Sequence, residues 1–439
     1  LTEVSRAAVM RKLTKSSRIT VRTKVAAVKH MILAVLVTIT ATASVAAGGQ
    51  SSARSVAMAG AYSALAEGVD ASRHNPANLG LNDYRRTGVE LFGLGASIVN
   101  NAFTLGDYNK YTGALLTGSD KNDILSCIPD EGLKLSGKVE ASVLSATYRN
   151  FGFVVTGVGA ADVNLSRDIF ELVLNGNAFA DTIDVIGSYS EAVSYVSIGF
   201  SYGTPVYSAG TRQLALGAGV KYLRGIAIEE VTDLEGLIST EATGFEGEGR
   251  MTARTASGGT GYAFDVGASL KLNDSYTVGI AVTNILSHIS WNKDAQEHGY
   301  LFAFDTMTID NVDEDYVVSD EYSRPVESFS TALPAVMTVG VAKRSRSVNW
   351  AVDWEQGLSR GAGASTRPRL CLGAEWWPIT AIPVRTGCSA GGGKSLAFSF
   401  GSGVRLASFY FDYALVSGTA FSGYSAKGLN LAISTGIQF

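Results

Sequence analysis

Hydrophobic and polar positions alternate with a period of two along much of this chain, most cleanly in its last stretch, Lys427 to Phe439. There Leu429, Leu431, Ile433, Ile437 and Phe439 take odd positions, interrupted by Thr435, while Gly428, Asn430, Ala432, Ser434, Gly436 and Gln438 take even ones. Successive side chains of a strand point to opposite faces, so this segment is apolar on one face and small or polar on the other. A sheet of that kind suits a boundary between lipid and water. A soluble β-sandwich also alternates, and the two readings separate only over the whole chain.

Alternating or β-rich runs fall at about 88–98, 139–149, 151–161, 192–204, 212–228, 260–272, 275–286, 333–344, 348–357, 368–377, 382–390, 395–406, 408–416 and 427–438. Taken in order, the odd gaps are long or variable (100–138, 162–191, 229–259, 287–332, 358–367, then 391–393 and 417–426), and the even gaps are short. Tight turns at one end and long loops at the other mark a transmembrane antiparallel β-barrel, here of about 14 strands. A sandwich has no reason to segregate its loops. Two further β-like runs, Gly249 to Ala256 and Tyr300 to Ile309, read as strand extensions or loop hairpins; if they cross the membrane, the count becomes sixteen.

Composition agrees with an all-β membrane wall. The 439 residues include 49 Gly and only 8 Pro, with 17% charged residues and a mean hydropathy of +0.15. That is too charged for a bundle of membrane helices. The one long uncharged apolar run, Met31 to Ala47, follows Lys24 and Lys29 and ends in Ser44-Val45-Ala46-Ala47, the layout of a secretory signal peptide. Residues 1–47 are therefore expected to be an upstream extension and signal peptide; their basic part, which starts at Leu1 and holds eight Lys or Arg against one Glu, reads in part as sequence ahead of the true start. The remainder keeps 28 basic against 39 acidic side chains, which argues against nucleic acid as a partner.

After the signal comes a stretch dominated by small residues, with Met58, Tyr62 and Leu65 about one helical turn apart and a turn at Asn75-Pro76. Ala53, Arg54, Met58, Gly60, Ala61 and Tyr62, followed by Asn75-Pro76-Ala77, resemble the N-terminal motif of the FadL-like outer-membrane transporters for hydrophobic compounds and of the related PorV-type proteins. This chain has Ala59 where that pattern usually has a glycine. The resemblance implies that 48–87 is a hatch inside the lumen of a barrel formed by 88–439, with Arg54, Met58, Gly60, Tyr62, Asn75, Pro76 and Ala77 as its motif residues. The terminal Phe439 resembles the assembly signal of bacterial outer-membrane barrels, which implies the barrel-assembly machinery and outer-membrane lipid as partners.

The faces of the later strands follow from parity. With Trp350, Val352, Trp354, Leu370, Leu372, Phe398, Phe400, Phe409 and Phe411 toward lipid, the lumen collects Asp353, Glu355, Arg369, Glu375, Arg385, Arg405 and Asp412. Mixed charges of this kind read as a ladder that holds the wall and the hatch, or as a polar path. Arg54, Glu67, Asp70 and Arg73 are candidates to pair with them, Glu375 and Arg405 being two such partners. Cys371 points inward and Cys388 outward, so they are not expected to bridge. No cysteine or histidine spacing marks a metal site, no G-x-S-x-G elbow occurs, and neither a catalytic group nor a cofactor is expected.

In the first long loop, Thr117 or Ser119 is expected to cap a short helix stopped before Pro129. In the second, Asp168 to Asn175 places Ile169, Leu172 and Val173 on one helical face. The D-Y-N-K-Y of residues 107–111 with D-K-x-D-I-L of 120–125 resembles an uncharacterised branch of FadL-like proteins. The resemblance implies uptake or passage of a small hydrophobic compound: capture between apolar outer loops, transfer into the lumen, and release by hatch movement. The alternative is a non-transporting PorV-like barrel that holds or hands over a secreted protein. A continuous apolar cavity from the loops 229–259 and 287–332 down to the hatch would favour transport, and a lumen filled by Arg and Glu pairs would favour the scaffold.

Overall fold

The computed structural model describes residues 51–82, 87–176, 182–241, 244–307, 318–359, 361, 364–392, 394–418 and 425–439. Residues 1–47, expected to hold the upstream extension and signal peptide, lie outside these, as do 48–50 and 83–86 of the expected hatch.

Fourteen strands close into an antiparallel barrel. They are β1 Gly88–Asn100, β2 Leu133–Tyr148, β3 Phe151–Leu165, β4 Tyr189–Ala209, β5 Arg212–Glu241, β6 Gly258–Lys271 and β7 Tyr276–Lys293, then β8 Val336–Lys343, β9 Val348–Gly357, β10 Arg369–Ile379, β11 Ile382–Gly391, β12 Lys394–Leu406, β13 Phe409–Gly418 and β14 Gly428–Gln438. Each pairs with its neighbours in sequence, and β1 pairs with β14 from Gly88↔Gln438 to Val99↔Gly428. Closure leaves no unpaired edge, the condition for a sheet to stand in lipid, where unpaired N–H and C=O groups cost several kcal/mol each. Leu429, Leu431 and Ile433 are exposed on the outside of β14 while Ala432 and Ser434 are buried inside; Leu370, Leu372 and Trp376 do the same on β10. This outward apolar surface on a closed barrel makes the chain a bacterial outer-membrane protein. No helix among the described residues is long and apolar enough to cross a membrane.

The two extra β-like runs do not join the ring. A membrane strand needs about 9–11 residues, but β5 runs for 30, and its upper part leaves the barrel. There it pairs with Gly244–Ala256, which pairs with Gln296–Met307, which pairs with Val318–Pro325. The result is a sheet projecting from the long-loop end, built from the loops after β5 and β7. Cross-strand partners share a face. One face carries Leu234, Ile238, Met251, Tyr300, Phe302 and Phe304, with Phe302 and Phe304 stacked at 6.3 Å and their rings lying over Gly249 and Gly247. The other carries ion pairs of Arg250 with Asp233 and Glu235, and of Arg254 and Arg324 with Glu297.

The two expected loop helices form, and a third precedes them. Thr117, not Ser119, caps Gly118–Cys127, in a reciprocal box with Asp120. A second box of Thr104 and Asp107 starts Leu105–Tyr111, over the D-Y-N-K-Y run. Arg167–Asn175 is helical but buries no residue, and Val173 is 62% exposed.

The core is inside the barrel. Residues 51–82 cross the lumen as a short helix Ala53–Ala57, a run of turns, a helix Val69–His74 and a 3-10 turn Pro76–Gly80. The helical spacing of Met58, Tyr62 and Leu65 does not produce a helix. Ala59 (φ 56°) and Gly60 (φ 91°) turn the chain left-handed after Met58, and the three side chains instead meet Ala342, Ala351 and Cys371 of the wall in one cluster.

Candidate functional site

The N-terminal segment fits the lumen because the wall gives it room. Inward glycines occur on strand after strand at its level, and a Cβ on any of them would collide with it. Gly373 and Gly387 face Met58, Gly401 faces Ala57, Gly340 faces Ser63, Gly203 and Gly217 face Pro76 and Ala77, and Gly267 faces Asn75, all at under 3 Å from the added carbon. An alanine at Gly373, Gly387, Gly401, Gly203 or Gly217 would need backbone to move, and one at Gly340 or Gly267 would displace the side chains of Ser63 and Asp353 or of Asn75.

Hydrogen bonds then fix the segment's two halves. Asp353 Oδ2 accepts the backbone N–H groups of Tyr62 (3.0 Å) and Ser63 (2.7 Å), and Ser399 donates to Ala57 O (2.7 Å). In the second half, Asn75 donates through Nδ2 to Ser269 Oγ (2.9 Å), and its Oδ1 accepts from Ala77 N–H (3.1 Å), closing the turn that Pro76 begins. Asn78 joins the halves by donating to Ser63 O and Ala66 O, both at 2.9 Å. Leaving any of these buried groups unpaired costs about 1–3 kcal/mol.

Below this, toward the short turns, the charges form one alternating chain. Arg405 pairs with Asp412 (2.8 Å), Asp412 with Arg385 (2.7 Å), Arg385 with Glu375 (2.7 Å), Glu375 with Arg54 (2.8 Å), Arg54 with Glu67 (2.7 Å) and Glu67 with Arg344 (3.3 Å). Glu375 and Arg385 are fully buried. Each carboxylate lies between two guanidinium groups, which offsets the desolvation that an isolated buried charge would suffer. The chain enters the segment at Arg54 and Glu67 and leaves it at Arg344, so it ties wall strands to the segment and back. Arg73 makes a second attachment, to Glu90 of β1. Burial lowers the pKa of His74, which packs edge-on against Tyr62.

Above the segment lies a cavity of about 1240 Å³ that reaches the long-loop end. Its floor includes Ser52, Gly60, Ser72, Arg73 and His74, and its walls include Lys138, Glu140, Lys221, Asp265, Glu355 and Arg369. These pair as Lys138–Glu140, Lys221–Asp265 and Arg369–Glu355. Asp265 also accepts the N–H of Asn284 (2.8 Å), whose φ of 58° marks a bulge in β7. The cavity is thus mixed, with these ion pairs set among Val154, Val158, Leu333, Val336 and Val416: it is neither the continuous apolar path expected for transport nor a lumen filled by Arg and Glu pairs. Below the segment the space between Arg54, Tyr62, Asp70, Glu90, Arg405 and Tyr410 is about 30 Å³, room for one or two waters.

Of the residues singled out in the sequence, Arg54, Met58, Gly60, Tyr62, Asn75, Pro76 and Ala77 all contact the wall or organise the segment, while Glu375, Arg385, Arg405 and Asp412 form the ion chain. Asp353 holds backbone N–H groups instead of a charge. Arg405 stays within the wall and does not reach the segment as expected, because Asp412 on the adjacent strand takes both its nitrogens. Phe439 lies outside the lumen, 72% exposed, with its N–H donated to Thr87 O. Cys127, Cys371 and Cys388 are free. Among the described residues no group of three His, Cys, Asp or Glu side chains is placed to hold a metal ion. The wall glycines, Asn78 and the Lys221–Asp265 pair went unnoticed; glycines recurring on the inward parity of mid-strand positions were the available signal.

Among solved structures, the TodX deltaS2S3 mutant monoaromatic hydrocarbon channel is similar with a TM-score of 0.52 at 14% identity, over 90% of this chain and 99% of that one. The Pseudomonas putida toluene transporter TodX (0.49, 13%, 90% and 98%) and a Pseudomonas aeruginosa FadL homologue (0.49, 14%, 90% and 99%) are also similar. At these identities the likeness is one of fold, that of the FadL-like outer-membrane barrels. No curated protein matches the chain. A family model described as a family of unknown function, DUF5723, matches residues 76–257 and 244–369. Together these stretches span most of the chain, which therefore belongs to the DUF5723 family.

Proposed function

We propose that this barrel takes up small hydrophobic compounds from the cell surface and that residues 48–87 act as the hatch that gates their passage. The observation that carries the reading is the apolar face of Tyr300, Phe302, Phe304, Met251, Leu234 and Ile238 on the projecting sheet. It joins the two outer loops from which capture was expected, and stacked aromatic rings offer a planar apolar compound a large contact area at small entropic cost. A fold relative that is a monoaromatic hydrocarbon channel supports the same class.

From that face the compound enters the cavity, crosses it, and leaves when the hatch yields. A hatch held by a few ion pairs and hydrogen bonds moves at far smaller cost than a wall held by continuous ladders. The mixed walls suit a compound that carries a hydrogen-bonding group on its apolar body. Neither the family match nor the fold relatives support the scaffold alternative. The reading also makes the protein a carrier, with no catalytic step.

The test is entry of a fluorescent hydrophobic probe into cells bearing the barrel. Wild-type cells should accumulate it faster than cells without the barrel, Phe302→Ala with Phe304→Ala should lower the rate several-fold, and Asn75→Ala with Pro76→Ala should change it while the heat-modifiable barrel persists. If the probe enters no faster with the wild-type barrel, uptake of hydrophobic compounds is wrong. If entry ignores both pairs of substitutions, capture and hatch are both misplaced.

A further inference from the structure

The lipid-facing surface at the short-turn end carries cations that the fold does not use. Lys343, the last residue of β8, lies in register with Tyr276 of β7 on one side and Trp350 of β9 on the other. All three point outward, because the next residues along, Ala342, Thr277 and Ala351, are buried inward. The Lys343 ammonium sits 5.5 Å from the Tyr276 ring centroid, and the Tyr276 and Trp350 rings meet edge-on at 6.2 Å. Arg346 is exposed at the tip of the turn that follows. Neither cation has a carboxylate partner among the described residues, whereas the inward Arg344 of the same turn is bound to Glu67 and to Leu65 O.

A Trp and a Tyr at the end of membrane strands mark the depth of the headgroups. A lysine between them lays its apolar stem along the rings and lifts its charge to the boundary. The short turns of an outer-membrane barrel are on the periplasmic side, so the groups at this level are the phosphates of the inner leaflet. Two unpaired cations, one outward from the wall and one below it, flank the place where a lipid phosphate sits. The rings occupy the depth of its glycerol and upper acyl chains. An acidic protein segment would answer the charges but not the outward aromatic pair.

We propose that the lower ends of β7, β8 and β9 form a binding site for an anionic phospholipid of the inner leaflet. Lys343 and Arg346 hold the phosphate, and Tyr276 and Trp350 flank the chain region. The site is independent of what the barrel transports.

The test is native mass spectrometry of the full-length barrel released from mixed micelles with phosphatidylglycerol or phosphatidylcholine. The wild type should retain phosphatidylglycerol several-fold more than phosphatidylcholine. Lys343→Gln with Arg346→Gln should reduce the excess to the phosphatidylcholine level, Lys343→Arg should keep it, and Lys110→Gln in the outer loop should leave it unchanged; heat-modifiability shows that each variant is folded. Equal retention of the two lipids, or an excess that survives the double substitution, would overturn the proposal. So would displacement of the lipid by millimolar inorganic phosphate, which indicates a free-phosphate site, or retention of a glutamate-rich peptide in place of the lipid, which indicates a protein partner.

Discussion

At the scale of single residues, the buried Glu375 is the point on which the ion chain turns. Its oxygens accept from Arg54, Arg385, Asn349 and Trp377. Removing one partner of such a group strands the others, at a cost of about 3–5 kcal/mol. Glu375→Ala should therefore lower the temperature at which the barrel loses its heat-modifiable form, whereas Glu355→Ala, at the edge of the open cavity, should shift it far less. Equal shifts would show that the chain carries no special share of stability. Ala59 is a second instructive residue. Its φ of 56° is one that a side chain tolerates poorly, and a glycine stands there in the motif this chain resembles, so the departure noted in the sequence falls where the backbone would favour the family's residue.

At the scale of elements, the closing strand and the projecting sheet show what alternation does and does not reveal. All fourteen wall strands were legible, because lipid outside and side-chain contacts inside impose opposite polarity on successive positions. The upper half of β5 was not, since above the membrane both faces of a sheet can be mixed, and Leu237 stands 43% exposed on the charged side. The break after Met58 was hidden for another reason: a three- to four-residue apolar spacing arises from turns packed against a curved wall as well as from a helix. Just past β14, Phe439 donates its N–H to Thr87 O and is largely exposed. Phe439→Lys should accordingly leave the stability of assembled barrel almost unchanged and reduce the amount assembled. A variant that assembles as well as wild type in the membrane fraction would remove the role given to the terminal aromatic.

At the scale of the whole molecule, the candidate site was partly readable because it joins distant parts of the chain. Once the resemblance put the segment in the lumen, Arg54 and Glu375 could be placed among the charges able to pair, but which pairs form, that Asp353 serves backbone donors and that glycines open the wall depend on how deep the segment lies. The molecule is a barrel with a cavity of about 1240 Å³ above residues 51–82 and a space of about 30 Å³ among Arg54, Tyr62, Glu90 and Arg405 below them. On the proposed reading, passage displaces part of that segment, and this claim can be tested by tethering it. The Cβ of Ser72 lies 3.1 Å from the position of a Cβ on Gly152 of β3, whose nearer contacts are only the hydroxyls of Ser72 and Ser201, so Ser72→Cys with Gly152→Cys, in a chain whose own cysteines are replaced by alanine, needs a shift of about half an ångström to reach disulfide geometry. The measurement is entry of the hydrophobic probe with this pair oxidised and then reduced. The account predicts that oxidation suppresses entry and that reductant restores it; entry at the same rate in both states would contradict a gate in the N-terminal segment.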